Sequence, residues 1–230
     1  MIEASGDHAP LFAGLFRAAP FDLLPQLLKG AVVTIEITLI TATVAFVLSF
    51  LVAFARMVPL PGLRAIAAVY VEVLRGTSAI VQLYYLFFIL PVFGIAMPAT
   101  VTAVVGLGMN LSAYGSEVVR AGLLAVGGGQ REAAASLGLS RTLTYRLVII
   151  PQAFVVMLPS FGNLLIDLVK ATSLVSLITL TELTFSGRQM VVTTGRTFEV
   201  WSLVLLIYFA MAYPLAAAVR FVERRATRFR

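Results

Sequence analysis

Two ionisable side chains, Asp167 and Lys170, lie three residues apart inside an otherwise apolar stretch. On a helix this spacing places them on one face, where they can pair with each other. The pair is either a self-neutralising structural element or, with Asn163, part of a polar wall along which a zwitterion's ammonium and carboxylate exchange partners. Pro159 and Gly162 are expected to interrupt the same helix and to free backbone groups that need protein or water as partners. We favour the polar wall.

A second pair, Glu117 and Arg120, lies near the end of another apolar stretch. Its position favours a structural or gating role over contact with a solute. Glu36, seven residues after Lys29, is expected at a membrane interface.

The residue types that most enzymes need are scarce. One His and no Cys exclude an all-protein His/Cys metal site, a Cys nucleophile and a disulfide framework. The two lysines are followed by Gly30 and Ala171, so neither is the lysine of a phosphate-binding loop. We therefore predict no catalytic residue, no metal ligand and no cofactor in this chain. The energy for any transport must come from a partner subunit or from an ion gradient.

Composition places the chain in a membrane, because 60% of the residues are hydrophobic and only 12% are charged. The net charge of +6 comes mostly from arginines that flank apolar stretches, which is typical of membrane orientation and not of nucleic-acid binding. The first thirty residues lack the pattern of a cleavable signal peptide.

A membrane-crossing helix needs about 20 mostly apolar residues. By this criterion the sequence predicts an all-α protein with five membrane spans, near residues 28–55, 74–92, 98–120, 148–170 and 198–220. The second and third spans form a hairpin around Pro91, Gly94 and Pro98. Residues 1–27 precede the membrane domain of residues 28–220, and residues 221–230 form a basic tail that is expected at anionic headgroups.

The cations predict the orientation. Twelve of them fall on one side of the five spans and four on the other, with Lys170 in or beside a span. The positive-inside rule then places the N-terminus outside and the C-terminus in the cytoplasm. The longest charged cytoplasmic loop between helices runs from about Arg120 to Arg146, so a cytosolic partner is expected to bind there.

This loop predicts a short helix after the breaker Gly127–Gly129. Ala133, Ala134 and Leu137 follow a near-helical spacing. The charged side chains of this helix are Arg131, Glu132 and Arg141. By shape alone it is a surface helix at the headgroups. The spacing from Glu132-Ala133-Ala134 through Gly138 to Pro151, over residues 129–151, resembles the EAA loop of ATP-binding-cassette (ABC) importer permeases. Val148 and Ile150 depart conservatively from that pattern. The resemblance implies that Arg131, Glu132, Ala133, Ala134, Gly138 and Pro151 couple the chain to a cytoplasmic ATPase.

Three further segments resemble the polar amino acid branch of that family, which includes histidine, glutamine and opine permeases. They are Leu74–Gln82, with Ser78 in place of the usual Pro; Ala113-Tyr114 with Glu117 and Arg120; and Lys170–Leu174. We therefore assign Arg75, Gln82, Glu117 and Arg120 to gating or structure. Asn163, Asp167, Lys170 and Thr172 are assigned to the solute pathway.

The resemblance implies a type I importer fold in a bacterial inner membrane. Two such permeases, identical or paralogous, would form the translocator with two ATPase subunits, which bind ATP and Mg, and with an extracytoplasmic solute-binding protein. The expected solute is a polar amino acid, although residues 74–93 also resemble permeases for ectoine and hydroxyectoine. The alternative is an ion-gradient-driven transporter or a channel-like protein.

Overall fold

The computed structural model describes residues 22–226, and the side chains of residues 22–224. Residues 1–21 of the predicted segment 1–27 and residues 227–230 of the basic tail lie outside the described residues. Within them the chain is helical and contains no strand. The expectation of an all-α protein is confirmed.

Nine α-helices follow one another within the described residues. We label them α1 (Leu24–Met57), α2 (Pro61–Gly76), α3 (Ala79–Tyr84), α4 (Ala99–Ala125), α5 (Gly128–Ser136), α6 (Arg141–Thr144), α7 (Ile150–Ala171), α8 (Leu183–Thr194) and α9 (Thr197–Ala226). Helix α3 continues through a π turn at Tyr85–Ile89 and a 3-10 turn at Leu90–Phe93. A π turn at Tyr145–Ile149 joins α6 to α7, and a 3-10 segment at Thr172–Ile178 follows α7.

Three of the described segments are long and apolar enough to cross a membrane: Leu24–Met57, Arg141–Ile178 and Thr197–Arg224. The bent pair α2 and α3 adds a fourth if it is counted as one span. Helix α4 coincides with the predicted third span, but polar residues such as Asn110, Glu117 and Arg120 lower its apolar character. The count of five spans stays a prediction.

The predicted second span, 74–92, is not one helix. Thr77 and Ser78 are extended, and the chain bends by 106° between Gly76 and Ala79. Two side-chain amides bind the carbonyl oxygen of Leu74 at this bend, Gln82 Nε2 at 2.9 Å and Asn110 Nδ2 at 3.0 Å. The break therefore leaves the carbonyl of Leu74 with partners, which an apolar environment requires.

The expected interruption of the fourth span at Pro159 and Gly162 is wrong, because α7 is continuous through both residues. An interior proline removes one helical hydrogen bond and usually kinks or breaks a helix, but the helix continues on both sides of Pro159. Gly162 serves close packing, since an added Cβ would lie 2.3 Å from Val219 Cγ2 of α9. The irregular segments instead flank α7, at Tyr145–Ile149 and Thr172–Ile178.

Three apolar clusters hold the helices together. One joins the start of α1 to α8 and α9 through Leu27, Leu183 and Val200. The second packs α1, α3, α4 and α7 around the segment Thr172–Ile178, and the third packs the other ends of α1, α4 and α7. Helix α4 is thereby fixed against both α1 and α7.

Candidate solute pathway and coupling loop

Helix α7 carries an exposed polar face. Asn163, Asp167 and Lys170 are all exposed and follow the spacing i, i+4, i+7, which defines one side of a helix. The predicted ion pair is present, with Lys170 Nζ 3.6 Å from Asp167 Oδ1, and the two side chains are 63% and 68% exposed. Polar groups exposed on a membrane helix need water or another protein surface as neighbours.

Thr172 does not share this face. It is fully buried and donates a hydrogen bond to the carbonyl oxygen of Val169 at 2.6 Å. Ser160, which the sequence analysis passed over, is exposed on α7, and its position places it beside Asn163 and Asp167 on the helix circumference.

Glu117 is the centre of a cluster of arginines from three helices. It accepts a short hydrogen bond from Arg56 Nη1 and another from Arg120 Nε at 2.9 Å. Arg75 Nη1 lies 3.7 Å from Glu117 Oε1, and its guanidinium is 5.3 Å from the ring centre of Tyr114. The sequence predicted only the Glu117–Arg120 pair. The cluster joins the ends of α1 and α2 to α4.

Sequence reasoning missed one fully buried acid, Glu182. Its carboxylate caps α8 by accepting from the backbone N–H groups of Thr184 and Phe185, both at 2.9 Å. Tyr208 Oη of α9 also donates to it at 2.9 Å, and Thr34 Oγ1 of α1 lies 3.4 Å away. The preferred N-cap residues are Ser, Thr, Asp and Asn, so Glu182 gives no clear capping signal, and its partners from α1 and α9 leave no local pattern.

Helix α5 is the short helix expected in the charged loop. Arg131, Glu132 and Ala133 are exposed, whereas Ala134 is buried. Gly138 has a φ of +71° and ends the helix in the left-handed conformation, with nothing within 4 Å of an added Cβ. Gly138 thus forms the turn that ends α5.

The loop is tied to α7 by side chains. Gln152 Nε2 donates to Gln130 Oε1 at 3.2 Å, and the guanidinium of Arg131 lies 5.9 Å from the ring centre of Tyr145. Pro151 is exposed in the first turn of α7. Leu137, next to the turn, is 80% exposed.

Two apolar cavities lie away from these residues. One of about 390 Å³ lies between α1, α4, α7 and α9, and none of the predicted site residues lines it. Among the described residues, no group of three or more His, Asp or Glu side chains could hold a metal ion.

Comparison with known proteins identifies the family. A model of the binding-protein-dependent transport system inner membrane component matches residues 45–228. The chain belongs to this family. A probable amino-acid ABC transporter permease of Sinorhizobium fredii is 40% identical over 91% of this chain and 90% of its own length. The glutamine transport permease of Escherichia coli is 35% identical, covering 90% and 96%, and the L-cystine permease of Bacillus subtilis is 33% identical, covering 94% of each.

Solved structures agree. The crystal structure of an amino acid ABC transporter with histidines matches with a TM-score of 0.83 and 35% identity, over 87% of this chain and 94% of that one. The methionine ABC transporter MetNI matches at 21% identity and a TM-score of 0.74, which shows the fold alone. The predicted recognition and the importer permease fold are confirmed. This family member is an integral membrane component that forms a transport pathway, and the family is not one of enzymes.

Proposed function

We propose that this permease forms the membrane pathway of an ATP-driven importer for a polar amino acid or a related zwitterion, ectoine-like solutes included. The observation that carries the proposal is the exposed polar face of α7, with Asn163, Asp167 and Lys170. It occurs in a chain whose relatives transport glutamine and L-cystine. A zwitterion carries both charges that an Asp–Lys pair can bind.

The pathway lies between two permease subunits. The polar face of α7 is exposed in the single chain, and contact with lipid would cost several kcal/mol per charged group. A second subunit, a copy or a paralogue, removes this cost by enclosing the face around water and solute. Asn163, Asp167 and Lys170 then form one wall of the path, with Thr172 supporting it from the buried side.

The coupling loop, residues 129–151, binds the cytoplasmic ATPase, which holds ATP and Mg. Exposed Arg131, Glu132 and Ala133 offer polar contacts and close approach, and Leu137 offers an apolar anchor. The contacts with Gln152 and Tyr145 transmit a displacement of α5 into α7, which carries the polar face. Closure of the two ATPases thereby turns the path outward, and hydrolysis resets it.

The N-terminus is outside and the C-terminus is in the cytoplasm, with five spans and with an extracytoplasmic solute-binding protein as a further partner. Because the chain has no cysteine, single cysteines test this orientation. Ser140 is exposed on the coupling loop, and Val192 of α8 is 81% exposed. The variants Ser140→Cys and Val192→Cys should react with an impermeant reagent from opposite sides. Labelling of both from one side contradicts the orientation.

The energy source decides between the proposal and a secondary transporter. The permease is reconstituted in vesicles with its ATPase and binding protein, and uptake of a radiolabelled amino acid mixture is measured. Uptake should require internal ATP and persist when ionophores collapse the ion gradients. Uptake that survives ATP removal and stops with the ionophores refutes the proposal.

A further inference from the structure

We propose that the guanidinium groups of Arg75 and Arg120 bind the carboxylate of the transported solute at the cytoplasmic end of the pathway. This inference rests on the proposed function and names a second site within it, distinct from the Asp167–Lys170 pair. The site is built on the cluster of Arg56, Arg75 and Arg120 around Glu117.

The cluster holds more positive charge than its carboxylate can satisfy. Arg56 is the most buried of the three, with its side chain 18% exposed, and its short bond holds Glu117. Arg120 binds Glu117 through Nε, its two terminal nitrogens have no hydrogen-bond partner among the described residues, and its side chain is 46% exposed. Arg75 is 43% exposed and, at 3.7 Å, lies beyond hydrogen-bonding distance from Glu117. Three guanidiniums against one carboxylate leave a net charge of about +2 on the site.

The two exposed arginines have the chemistry that a carboxylate needs. A guanidinium offers planar, paired N–H groups that bind both oxygens of a carboxylate at once. The ring of Tyr114, over which Arg75 lies, keeps this side chain beside α4. A solute carboxylate can therefore bind Arg75 and Arg120 while Glu117 stays on Arg56, so the cluster need not be dismantled at each transport cycle.

The site lies on a polar face of α4. Asn110, Tyr114 and Glu117 follow the spacing i, i+4, i+7, and Tyr114 is 39% exposed. Surfaces that face lipid tails are apolar, whereas this face carries an amide, a phenol and charges. The face is therefore suited to a water-filled path, and we assign the bound anion to the solute and not to a lipid phosphate.

The excess positive charge has a second consequence. A membrane potential that is negative inside drives cations inward, and a site with a net charge of about +2 at the inner end of the path opposes their passage. The same field attracts the carboxylate end of a zwitterion. The site thus favours solutes that carry a carboxylate over amines that lack one.

The variant Ala121→Cys measures the local potential. Ala121 is exposed and lies one helical turn beyond Glu117, and no natural cysteine competes with the introduced thiol. In the complex with the ATPase, without nucleotide and in zwitterionic lipid, anionic and cationic methanethiosulfonate reagents are compared. We expect the ratio of anionic to cationic rate to fall about tenfold when Arg75→Gln and Arg120→Gln are combined. Arg64→Gln, at an exposed arginine near the start of the same helix as Arg75, should leave the ratio unchanged.

Protection then tests binding. An equimolar mixture of the twenty common L-amino acids should slow labelling of the Ala121→Cys thiol several-fold, and the corresponding amino acid amides should not. The combined Arg75→Gln and Arg120→Gln variant should lose this protection, while Arg64→Gln keeps it.

Four results would each overturn the inference: no reaction of the introduced thiol with either reagent, no charge preference, equal protection by the amides, or protection that survives in the combined variant. If anionic lipid replaces the amino acids as the protecting agent, the site binds headgroups and the inference is also wrong. Labelling needs no ATP. The labelling result therefore does not depend on whether the ATP-dependent uptake test succeeds or fails.

Discussion

Replacing Tyr208 with Phe should measurably destabilise the protein, although the change removes only one oxygen atom. Tyr208 Oη lies 2.9 Å from Glu182 Oε2 and 2.9 Å from Thr184 Oγ1, so it links α9 to the capped start of α8. The phenyl ring of Tyr208→Phe keeps the apolar contacts of the tyrosine. The loss is therefore confined to hydrogen bonds with a fully buried carboxyl group and its neighbour.

A hydrogen bond to a charged group contributes about 1.5–3 kcal/mol to stability. For a chain of this size, 1 kcal/mol shifts the melting temperature by roughly 2–4 °C. Tyr208→Phe should therefore lower the melting temperature of the purified permease by about 3–12 °C. Glu182 still accepts from the backbone N–H groups of Thr184 and Phe185, so the helix start should remain folded.

Tyr213→Phe is the matched control. Tyr213 belongs to the same helix, is 54% exposed and lies outside the Glu182 network. Its melting temperature should stay within about 2 °C of the parent, because exposed substitutions away from such networks rarely exceed 0.5 kcal/mol. In Glu182→Gln the further effect of Tyr208→Phe should shrink, since the two residues share one interaction. A shift in Tyr208→Phe no larger than that in Tyr213→Phe would refute this reasoning.

Three further predictions concern coupling, the pathway and packing. Leu137→Asp should abolish co-purification of the ATPase with the permease. Val192→Asp should not, although Val192 of α8 is equally exposed. If the ATPase co-purifies with both variants, Leu137 is not part of the coupling surface. If Asp167 and Lys170 bind solute, the double variant Asp167→Lys with Lys170→Asp should insert into the membrane and bind the ATPase normally. Its apparent affinity for solute should stay low. A normal affinity would show that the pair is structural. Gly162→Ala should cost about 1–3 kcal/mol because its Cβ would overlap Val219, and Val219→Ala should recover most of the lost thermal stability; no recovery would exclude this contact as the cause.

The helices could be predicted from the sequence because apolar length alone specifies most of them. The apolar stretches around α1, α7 and α9 are so long that a few polar residues, or an error of a few residues at either end, would not change their assignment as helices. The bend at Thr77 could not be predicted in this way. Its stability depends on Gln82 and on Asn110, which lies 36 residues from Leu74 in sequence.

Local pairs were similarly predictable, and distant ones were not. Helical spacing alone gives Asp167–Lys170 and Glu117–Arg120, and both pairs are present. Arg56 reaches Glu117 from 61 residues away, and Thr34 reaches Glu182 from 148 residues away. Such contacts depend on how α1 packs against α4 and α8. No pattern within the sequence indicates them.

The length of α1 accounts for the position of the Glu182 network. This helix has 34 residues and is therefore about 51 Å long, whereas the hydrocarbon core is about 30 Å thick. If the charged cluster at Arg56 marks one boundary of the core, a rise of about 1.5 Å per residue places Glu36 near the other boundary. The first three turns of α1 then extend beyond the core, where they pack on α8 and the start of α9. Thr34 lies at the edge of this region and contacts Glu182 there. At this boundary of the core, burying an acid costs less than at the centre of the bilayer. The same arithmetic explains why Glu36 can be exposed on a membrane helix and places it at an interface, away from the solute pathway.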